Sequence, residues 1–371
     1  MRVLTVNVGS SSLKLSMFGD DEELLGRDDL SAPGGHIEDE ALADAVGRHR
    51  PIDAVGHRIV HGGREFTNPV LVDEGLRRRL EALVDLAPLH LPKSLAGLDA
   101  LSHLLPGTPQ VACFDTAFHA RMPRSASTYA LPAEWRRRWD LRRYGFHGLS
   151  HSYVSARTEE LAGAIPRTLR IVTCHLGAGA SLAAVHRGES VDTTMGFTPL
   201  EGLVMATRSG SVDPGLLLWL EEHVGLPPAE LASTLEHRSG LLALSGTEDM
   251  AAVLEAEAGG NADASLAVEV YLHRLRAEIA AMAVAMDGLD ALAFTGGVGE
   301  RAFSIRARAA RGLSFLGIEL DDQANAVARP DAEVSAAGAR VRTFVIETRE
   351  DLQILRDVGR VLTSRASSAS R

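Results

Sequence analysis

The sequence is poor in cysteine and in long apolar runs. Only two of its 371 residues are cysteine, Cys113 and Cys174, and each lies in an apolar segment where a free thiol packs as a small hydrophobe. This usage excludes a disulfide scaffold and predicts a reducing, cytoplasmic compartment. No apolar run reaches the ~18 residues of a membrane span, and no signal-peptide pattern precedes the first predicted strand. We therefore expect a soluble protein with no membrane partner.

Basic stretches are scarce as well. The net charge is −11, and the two arginine triplets, at residues 77–79 and 136–138, predict solvated helix faces. No basic stripe with interleaved aromatic residues is present, so we expect no nucleic-acid partner.

The fourteen histidines are scattered and form no zinc pattern with cysteine. A hard cation such as Mg²⁺, held by carboxylate and amide oxygens, is the more plausible metal.

The length of the chain favours two domains. Single hydrophobic cores stop growing near ~250–300 residues, and 371 residues exceed that limit. We place the boundary near residue 146. The first domain is predicted to span 1–146, completed by a C-terminal helix over 349–362, and the second to span 147–348, followed by a frayed tail at 363–371.

Two segments share the same order of a strand, a glycine-rich turn and a second strand. Residues 3–16 read VLTVNVGSSSLKLS, and residues 171–185 read IVTCHLGAGASLAAV. The two turns lie 168 positions apart, which indicates a chain built twice from one plan. Small turn residues let backbone N–H groups approach an anion, so two such hairpins facing each other across a cleft could grip a polyphosphate. A purely structural hairpin with a glycine turn is the alternative for either one.

Other polar residues follow predicted strands. A strand at 52–57 precedes Arg58, and a strand at 109–114 precedes Asp115, where α/β proteins place ligand-binding groups. Arg58 and Arg208 are both flanked by small residues and suit planar oxyanions such as carboxylate or phosphoryl groups. A structural salt bridge is the alternative for each arginine.

The C-terminal third adds a glycine-rich strand end and a capped helix. A strand at 291–294 runs into a predicted turn, Thr295 to Glu300, whose glycines are weak evidence of nucleotide binding. Nearer the middle of the chain, Ser150 is predicted to cap a helix over 153–161. Thr348 is predicted to cap the last helix, which carries acidic residues in its first turn.

Seven motifs in order give the chain a specific resemblance over nearly its whole length. The chain resembles the acetate and propionate kinase family at the following segments: Asn7-Val-Gly-Ser-Ser-Ser-Leu-Lys14, Gly56-His-Arg-Ile-Val-His-Gly-Gly63, Ala87-Pro-Leu-His90, Phe114-Asp-Thr-Ala-Phe-His119, Tyr144-Gly-Phe-His-Gly148, Gly196-Phe-Thr-Pro-Leu-Glu-Gly202 and Thr295-Gly-Gly-Val-Gly-Glu300.

The resemblance implies a fold and a reaction. The fold would be α/β, the duplicated ribonuclease-H-like (actin-like ATPase) fold of two domains with a central cleft, in a homodimer. The reaction would be reversible, direct in-line phosphoryl transfer from ATP to acetate, giving acetyl phosphate and ADP, with Mg²⁺ or Mn²⁺ as cofactor. Its small-molecule partners would be acetate or another short-chain carboxylate and ATP or ADP.

The resemblance also implies roles for single residues. The catalytic residues would be Asp115, His147 and Arg208, with Arg58 holding the acid's carboxylate. The pocket for the methyl group would be formed by Val60, Leu89, Phe146 and Pro199. The metal would be fixed by Asn7 and Glu350. The nucleotide would be held by Lys14, His175, Leu176, Gly177, Ala178, Gly179, Asp249, Met250, Ala251, Gly297, Val298, Gly299, Glu300 and Arg301. Such a set fits phosphoryl transfer, which needs positioning and positive charge rather than a nucleophilic side chain.

Three positions depart from the family pattern, and all belong to the nucleotide set. Ala178 and Arg301 stand where asparagine is usual, and Ala251 stands where arginine is usual. They leave open another donor, such as GTP or pyrophosphate.

The identity of the acid is open too, because one methylene in an apolar pocket is worth only ~1–3 kcal/mol and propionate or butyrate could replace acetate. An actin- or Hsp70-like ATPase and a catalytically inactive binding module are the remaining alternatives. The ATPase would leave Arg58, His147 and Arg208 without a role, and the presence of all the proposed transfer residues disfavours the binding module.

Overall fold

The structure is a computed structural model that describes residues 1–9, 12–32, 38–87 and 91–369. The chain divides into two compact units. The first contains residues 1–120, 146–153 and 349–371, and the second contains residues 121–145 and 154–348. Among the described residues, no helix combines the length and apolar character needed to cross a bilayer.

The first unit is built on a six-stranded mixed sheet with the order β3-β2-β1-β4-β6-β5. Its strands are β1 (Val3–Val8), β2 (Ser12–Phe18), β3 (Leu24–Ser31), β4 (Ala54–Ile59), β5 (Val70–Leu71) and β6 (Gln110–Phe114). β1 to β3 form an antiparallel meander, while β1, β4 and β6 are parallel neighbours. The strands β1, β4 and β6 are mostly buried and rich in valine, as expected for strands covered on both faces.

The second unit repeats this plan. Its strands are β7 (Arg170–Leu176), β8 (Ala180–His186), β9 (Glu189–Thr193), β10 (Ala291–Thr295), β11 (Ala332–Glu333) and β12 (Arg342–Val345), in the order β11-β12-β10-β7-β8-β9. β7 to β9 form the antiparallel meander, and β7, β10 and β12 are parallel. β7, β10 and β12 thus correspond to β1, β4 and β6. The predicted duplicated α/β fold is confirmed.

Helices connect and cover the strands. In chain order they are α1 (Asp39–Arg48), α2 (Glu74–Glu81), α3 (Leu91–Leu104), α4 (Arg124–Ser127), α5 (Ala133–Arg138), α6 (Gly148–Leu161), α7 (Pro214–Trp219), α8 (Pro228–His237), α9 (Gly240–Ser245), α10 (Met250–Ala258), α11 (Ala262–Ala285), α12 (Gly296–Arg301), α13 (Phe303–Arg311), α14 (Asp322–Val327) and α15 (Glu350–Ala369). Short 3₁₀ turns occur at Asp20–Glu22, Val84–Leu86, Asp115–His119 and Ser314–Leu316, and a π-helical turn at Leu220–Val224 extends α7.

A close approach between α15 and β4 places the start of α15 at the sheet of the first unit. A Cβ at Gly56 would overlap the side chain of Ile354 and would lie 2.7 Å from a methyl group of Val358. Gly56 therefore lets the helix pack directly on the strand. The core on the sheet face that α1 and α3 cover is formed by residues such as Leu4, Leu13, Leu42 and Leu101.

The boundary predicted near residue 146 is wrong for residues 147–153, which belong to the first unit, and for the segment 121–145, which packs with the second. Arg143 donates a backbone hydrogen bond to Ser127, and the backbone N–H groups of Tyr144 and Gly145 donate to the carbonyl of Gly196. These hydrogen bonds bind the segment to the loop after β9, which no local sequence pattern could reveal.

Four local predictions also need correction. The turn predicted at residues 296–300 is the helix α12, which begins directly after β10. Ser150 lies inside α6, which begins at Gly148. α15 begins at Glu350, so Arg349 and not Thr348 occupies its N-cap position, and the Thr348 hydroxyl bonds to Glu300 and Thr295. That helix continues to Ala369 instead of ending at 362, since no glycine or proline follows to stop it until the chain ends.

Candidate active site

Three parallel strands of the first unit bring polar side chains to one edge of their sheet. Asn7 is the penultimate residue of β1, Arg58 is the penultimate residue of β4, and Asp115 directly follows β6. Parallel neighbours end at the same edge, where open α/β sheets bind ligands. The structure therefore brings together three of the residues predicted from separate motifs.

Arg58 is the centre of this group. Its Nε lies 3.1 Å and its Nη2 2.7 Å from Oδ2 of Asp115, while its Nη1 donates to Oδ1 of Asn7 at 3.1 Å. The same Nη1 lies 3.1 Å from Oε2 of Glu350. Glu350, in the first turn of α15, also accepts a hydrogen bond of 2.8 Å from Nδ2 of Asn7. We call these four residues, Asn7, Arg58, Asp115 and Glu350, the Arg58 cluster.

Burial and charge act against each other in the Arg58 cluster. Burial disfavours the charged guanidinium, but Asp115 and Glu350 stabilise it and the pKa of Arg58 is raised. Burial raises the pKa of Asp115 and the charge of Glu350 adds to the shift, whereas Arg58 and the backbone N–H of Leu149 oppose it. Two carboxyl groups beside one guanidinium give the cluster an excess of negative charge when all three are ionised, and a bound cation would compensate that charge.

Other predicted residues of the first unit lie around the cluster. Lys14 is paired with Asn7 across the β1–β2 hairpin, and its side chain is exposed on the same face of the sheet. Val60 follows β4 and is half-buried, and Phe146 is buried with its ring 5.6 Å from that of His61. Of the other two residues predicted for the methyl pocket, Leu89 lies outside the described residues and Pro199 belongs to the second unit.

His147 is held next to Asp115 by the backbone. A Cβ at Gly148 would overlap the carbonyl oxygen of Asp115, so the chain after His147 runs in direct contact with the turn that begins at Asp115. His147 itself has a φ of 55°, in the left-handed region that side chains rarely adopt, and its carbonyl accepts the hydrogen bond of His151 N–H in α6. Such strained backbone is typical of functional sites.

Arg208 lies in the second unit. Its Nη1 donates to the carbonyl of Pro199 at 3.3 Å, and its nearest carboxylate oxygen, on Glu236, is 3.9 Å from Nε. Burial lowers the pKa of Arg208, and Glu236 opposes this shift only weakly across that distance. Arg58 differs from Arg208, because Asp115 lies 2.7 Å and Glu350 3.1 Å from its guanidinium.

A cavity of about 400 Å³ opens in the second unit. Eight of the predicted nucleotide residues line it: Gly177, Ala178, Asp249, Met250, Ala251, Gly297, Val298 and Arg301. The hairpin turn between β7 and β8 supplies the first two, the start of α10 the next three, and α12 the rest. All three positions that depart from the family pattern thus face this one cavity.

The remaining predicted nucleotide residues of this unit do not line the cavity: His175, Leu176, Gly179, Gly299 and Glu300. The carboxylate of Glu300 is engaged within the protein, where Oε1 accepts hydrogen bonds from Gly296 N at 3.1 Å, Thr348 N at 3.0 Å and the Thr348 hydroxyl at 2.9 Å. Glu300 therefore fixes the start of α12 to the segment before α15. The backbone of Leu176 packs against Gly296, whose φ of 79° and lack of a side chain permit the contact.

Several residues of the cavity were missed by sequence reasoning. Leu241, Leu254, Tyr271 and Phe303 supply apolar walls from α9, α10, α11 and α13. In the sequence, such residues on helices cannot be distinguished from ordinary core positions, so no signal could have identified them.

Comparison with known proteins agrees with this architecture. Residues 35–356 match the model of the acetokinase family. An acetate kinase of Heliobacterium modesticaldum is 43% identical over 402 residues, covering 98% of this chain and 100% of the relative. The crystal structure of Porphyromonas gingivalis acetate kinase has a TM-score of 0.90 at 36% identity, covering 97% of this chain and 99% of the other.

A propionate kinase is similar to almost the same degree. The structure from Francisella tularensis has a TM-score of 0.88 at 34% identity, with 96% of this chain and 98% of the other covered. The similarity covers almost the whole of this chain and therefore spans both units. The chain belongs to the acetokinase family, a family of kinases.

Proposed function

We propose that this protein catalyses the reversible transfer of the γ-phosphoryl group of ATP to acetate, giving ADP and acetyl phosphate. The observation that carries the proposal is the Arg58 cluster. Its four members come from four separate parts of the chain, and they combine a fixed guanidinium with oxygen groups suited to a metal. The family membership and the acetate kinases among the relatives support the same reaction.

The chemistry requires one bond to form and one to break. A carboxylate oxygen of acetate attacks the γ-phosphorus, and the bond from that phosphorus to the β–γ bridging oxygen breaks, so that ADP leaves with the electron pair. No proton must be removed, because acetate is already a carboxylate at neutral pH. The protein therefore has to align the two reactants and to stabilise the charge on the transferring group.

The first unit would bind the acid. Arg58 would bind the carboxylate, because Asp115 holds Nε and Nη2 and so fixes the plane in which the guanidinium presents its N–H groups. Val60, Leu89, Phe146 and Pro199 would surround the methyl group. Acetate is the proposed acid, and the resemblance to a propionate kinase makes chain length a question for the assay.

Arg208 and His147 would stabilise the negative charge on the transferring phosphoryl group. Arg208 suits this role because the nearest carboxylate oxygen among the described residues, on Glu236, lies 3.9 Å away, which is too far to accept a hydrogen bond from the guanidinium. Charge aimed at oxygens that become more negative in the transition state is usually the largest catalytic contribution.

The cavity of the second unit would receive the nucleoside of the donor. Its volume of about 400 Å³ and its apolar walls support a donor with a base and a sugar over pyrophosphate, which would leave that space unused. Lys14 and the turn that contains Gly177 and Gly179 would bind the phosphates.

Mg²⁺ or Mn²⁺ fits the residues of the Arg58 cluster. Among the described residues no group of three histidine, cysteine or acidic side chains could hold a metal alone, so water and donor phosphates would complete the shell around Asn7 and Glu350. The excess negative charge of the cluster supports this assignment. The bound cation would neutralise charge on the phosphates of the donor.

Trapping acyl phosphate with hydroxylamine tests the proposal. Purified protein is incubated with ATP, Mg²⁺ and acetate, propionate or butyrate in separate reactions, and the hydroxamate is quantified. We expect acetyl hydroxamate that depends on both ATP and acid. ATP hydrolysis that does not require an acid would instead support an actin- or Hsp70-like ATPase, and the absence of any reaction would support a binding module.

We also infer that the protein is a cytoplasmic homodimer. The apolar side chains of Leu216, Leu218 and Trp219 on α7 are about half exposed, which supports a protein partner for this helix. The thiols of Cys113 and Cys174 are unpaired, which supports a reducing compartment. Light scattering coupled to size exclusion would give a mass near twice that of one chain, and a monomer mass would contradict the inference.

A further inference from the structure

A carboxylate in the second unit joins three segments of the chain. Oε2 of Glu201 accepts a hydrogen bond of 2.6 Å from the Tyr129 hydroxyl, and Oε1 lies 2.6 Å from Nη2 of Arg143. Both partners also hold the backbone of the loop that contains Glu201. The Tyr129 oxygen accepts from Phe197 N–H at 2.9 Å, and Arg143 Nη1 donates to the Thr194 carbonyl at 3.0 Å. We call Glu201, Tyr129 and Arg143 the Glu201 cluster.

The Glu201 cluster packs directly against the loop backbone at Gly196. A Cβ at Gly196 would overlap both the Glu201 carboxylate and the Tyr129 hydroxyl, so only glycine fits there. The Gly196 carbonyl also accepts backbone hydrogen bonds of 3.0 and 3.3 Å from Tyr144 and Gly145. The beginning of the loop is thereby fixed in position.

The other end of the loop is closed as well. Gly202, with a φ of 107°, donates from its N–H to the Ser211 hydroxyl at 3.0 Å and accepts from Ser211 N–H at 3.0 Å. Pro199 lies between the two fixed ends, and its carbonyl accepts the 3.3 Å hydrogen bond from Arg208 Nη1. The place of this carbonyl, and so the direction of the Arg208 guanidinium, depends on how the loop is held.

We propose that Glu201 is a positioning residue for phosphoryl transfer, which aims Arg208 by fixing the loop that carries Pro199. This inference rests on the proposed function and on the proposed role of Arg208. Glu201 contacts neither substrate in this scheme. Its carboxylate is needed because it must accept from a hydroxyl and a guanidinium at once, which the neutral amide of glutamine does less well.

The chemistry of Tyr129 is consistent with this arrangement. Burial raises the pKa of Tyr129, and the hydrogen bond to Glu201 adds to the shift, so the hydroxyl remains protonated and donates throughout the neutral range. The hydroxyl can therefore serve as donor to Glu201 and acceptor from Phe197 at the same time.

Steady-state kinetics of matched variants test the proposal. We expect Glu201→Gln to lower kcat at least tenfold, while the KM for ATP changes less than threefold because none of the cluster residues lines the nucleoside cavity. The matched control is Asp290→Asn, which breaks a similar two-point arginine–carboxylate pair, with Arg170, at the amino-terminal ends of β7 and β10. The control should retain more than half of the wild-type kcat.

A double-mutant cycle separates positioning from general damage. If Glu201 acts through Arg208, then Glu201→Gln should lower kcat less than threefold further in an Arg208→Lys background, because both changes affect one guanidinium. Tyr129→Phe keeps the Glu201–Arg143 pair and repeats the cycle should Glu201→Gln fail to fold. An equal effect in both backgrounds, or a folded Glu201→Gln with kcat within threefold of wild type, would overturn the proposal. A wild-type protein that forms no acyl phosphate would instead refute the proposed function.

Discussion

Arg58 and Asp115 meet side by side at the ends of two parallel strands, with the Asp115 carboxylate bonded to Nε and Nη2 along one edge of the guanidinium. Their hydrogen bonds range from 2.7 to 3.2 Å, and the Asp115 side chain is 1% exposed. A buried carboxylate in this position prevents the arginine from rotating. The guanidinium therefore stays oriented before any substrate arrives, which lowers the entropy lost on binding.

Removing the arginine should abolish most of the activity. We expect Arg58→Ala to lower the rate of acyl phosphate formation by about 10²–10³-fold, because a preorganised charge is lost from the transition state. The control is Arg77→Ala, which removes an arginine with a comparable two-point pair, to Asp99 at 2.7 and 2.8 Å, in the same unit. Circular dichroism should remain native in both. An Arg58→Ala enzyme with more than a third of wild-type turnover would remove Arg58 from the mechanism.

The metal requirement should depend on Asn7 and Glu350. Asn7→Ala or Glu350→Gln should raise the Mg²⁺ concentration needed for half-maximal rate several-fold, because each change removes oxygen ligands or negative charge from the cluster. Glu347→Gln alters an exposed glutamate three residues earlier and should leave the titration unchanged. Mg²⁺ curves that superimpose for all variants would reject both residues as metal ligands.

The choice of acid should respond to Val60. Val60→Ala removes two methyl carbons from the proposed pocket wall, and the space should favour a longer acid by ~0.8 kcal/mol or somewhat more, which is about fourfold. The ratio of kcat/KM for propionate to that for acetate is the measurement. Val70→Ala, at another half-buried valine of the same unit, serves as the control. An unchanged ratio in Val60→Ala would show that the side chain does not contact the acid.

We expect the enzyme to discriminate only weakly between the bases of nucleotide donors. Ala178 and Ala251 line the cavity where the family usually has polar side chains, and Arg301 lines it where asparagine is usual. Two or three lost hydrogen bonds at ~0.5–1.5 kcal/mol each would weaken base discrimination. We expect GTP or ITP to support a rate within about tenfold of that with ATP.

Restoring the arginine that is usual at position 251 should change the preference between nucleotide donors. Ala251→Arg should increase the preference for ATP over GTP, because it returns a hydrogen-bond donor to the wall of the cavity. Direct competition between ATP, GTP and pyrophosphate decides the matter. An advantage of ATP in the wild type greater than about a hundredfold, ~2.7 kcal/mol, would contradict relaxed donor choice.

Low pH should destabilise the first unit, because three of its histidine side chains are buried. Burial lowers the pKa of His57, His61 and His119 to about 4, although a hydrogen bond with Gln110 opposes the shift at His57. Because unfolded histidine titrates near 6.5, the unfolded chain binds more protons between pH 6.5 and 4, and stability falls as pH falls through this window.

A single substitution should reveal this linkage. His57→Gln should reduce the loss of unfolding free energy between pH 7.5 and pH 5 by about 2 kcal/mol, as the pKa difference of one imidazole predicts. Urea unfolding at the two pH values is the measurement, and His237→Gln at an exposed position is the control. Equal pH dependence in wild type and His57→Gln would show that His57 does not contribute.

The sequence by itself determined the duplicated plan and most of the first-unit site. The hairpins at residues 3–16 and 171–185 became β1–β2 and β7–β8, because alternating apolar residues interrupted by glycine favour this structure locally. Arg58 and Asp115 were identified because they stand at strand ends, and parallel neighbours bring their ends to one edge. Such predictions need only local pattern and general topology.

Only the tertiary structure decided which side chains meet across the chain. Asn7 and Glu350 are 343 residues apart in sequence, and they touch because Gly56 lets α15 pack against β4. The contact of Glu300 with Thr348, and the contacts of Glu201 with Tyr129 and Arg143, likewise join residues that are distant in sequence. These contacts depend on the close packing of elements that are distant in sequence, and local propensity carries no information about them.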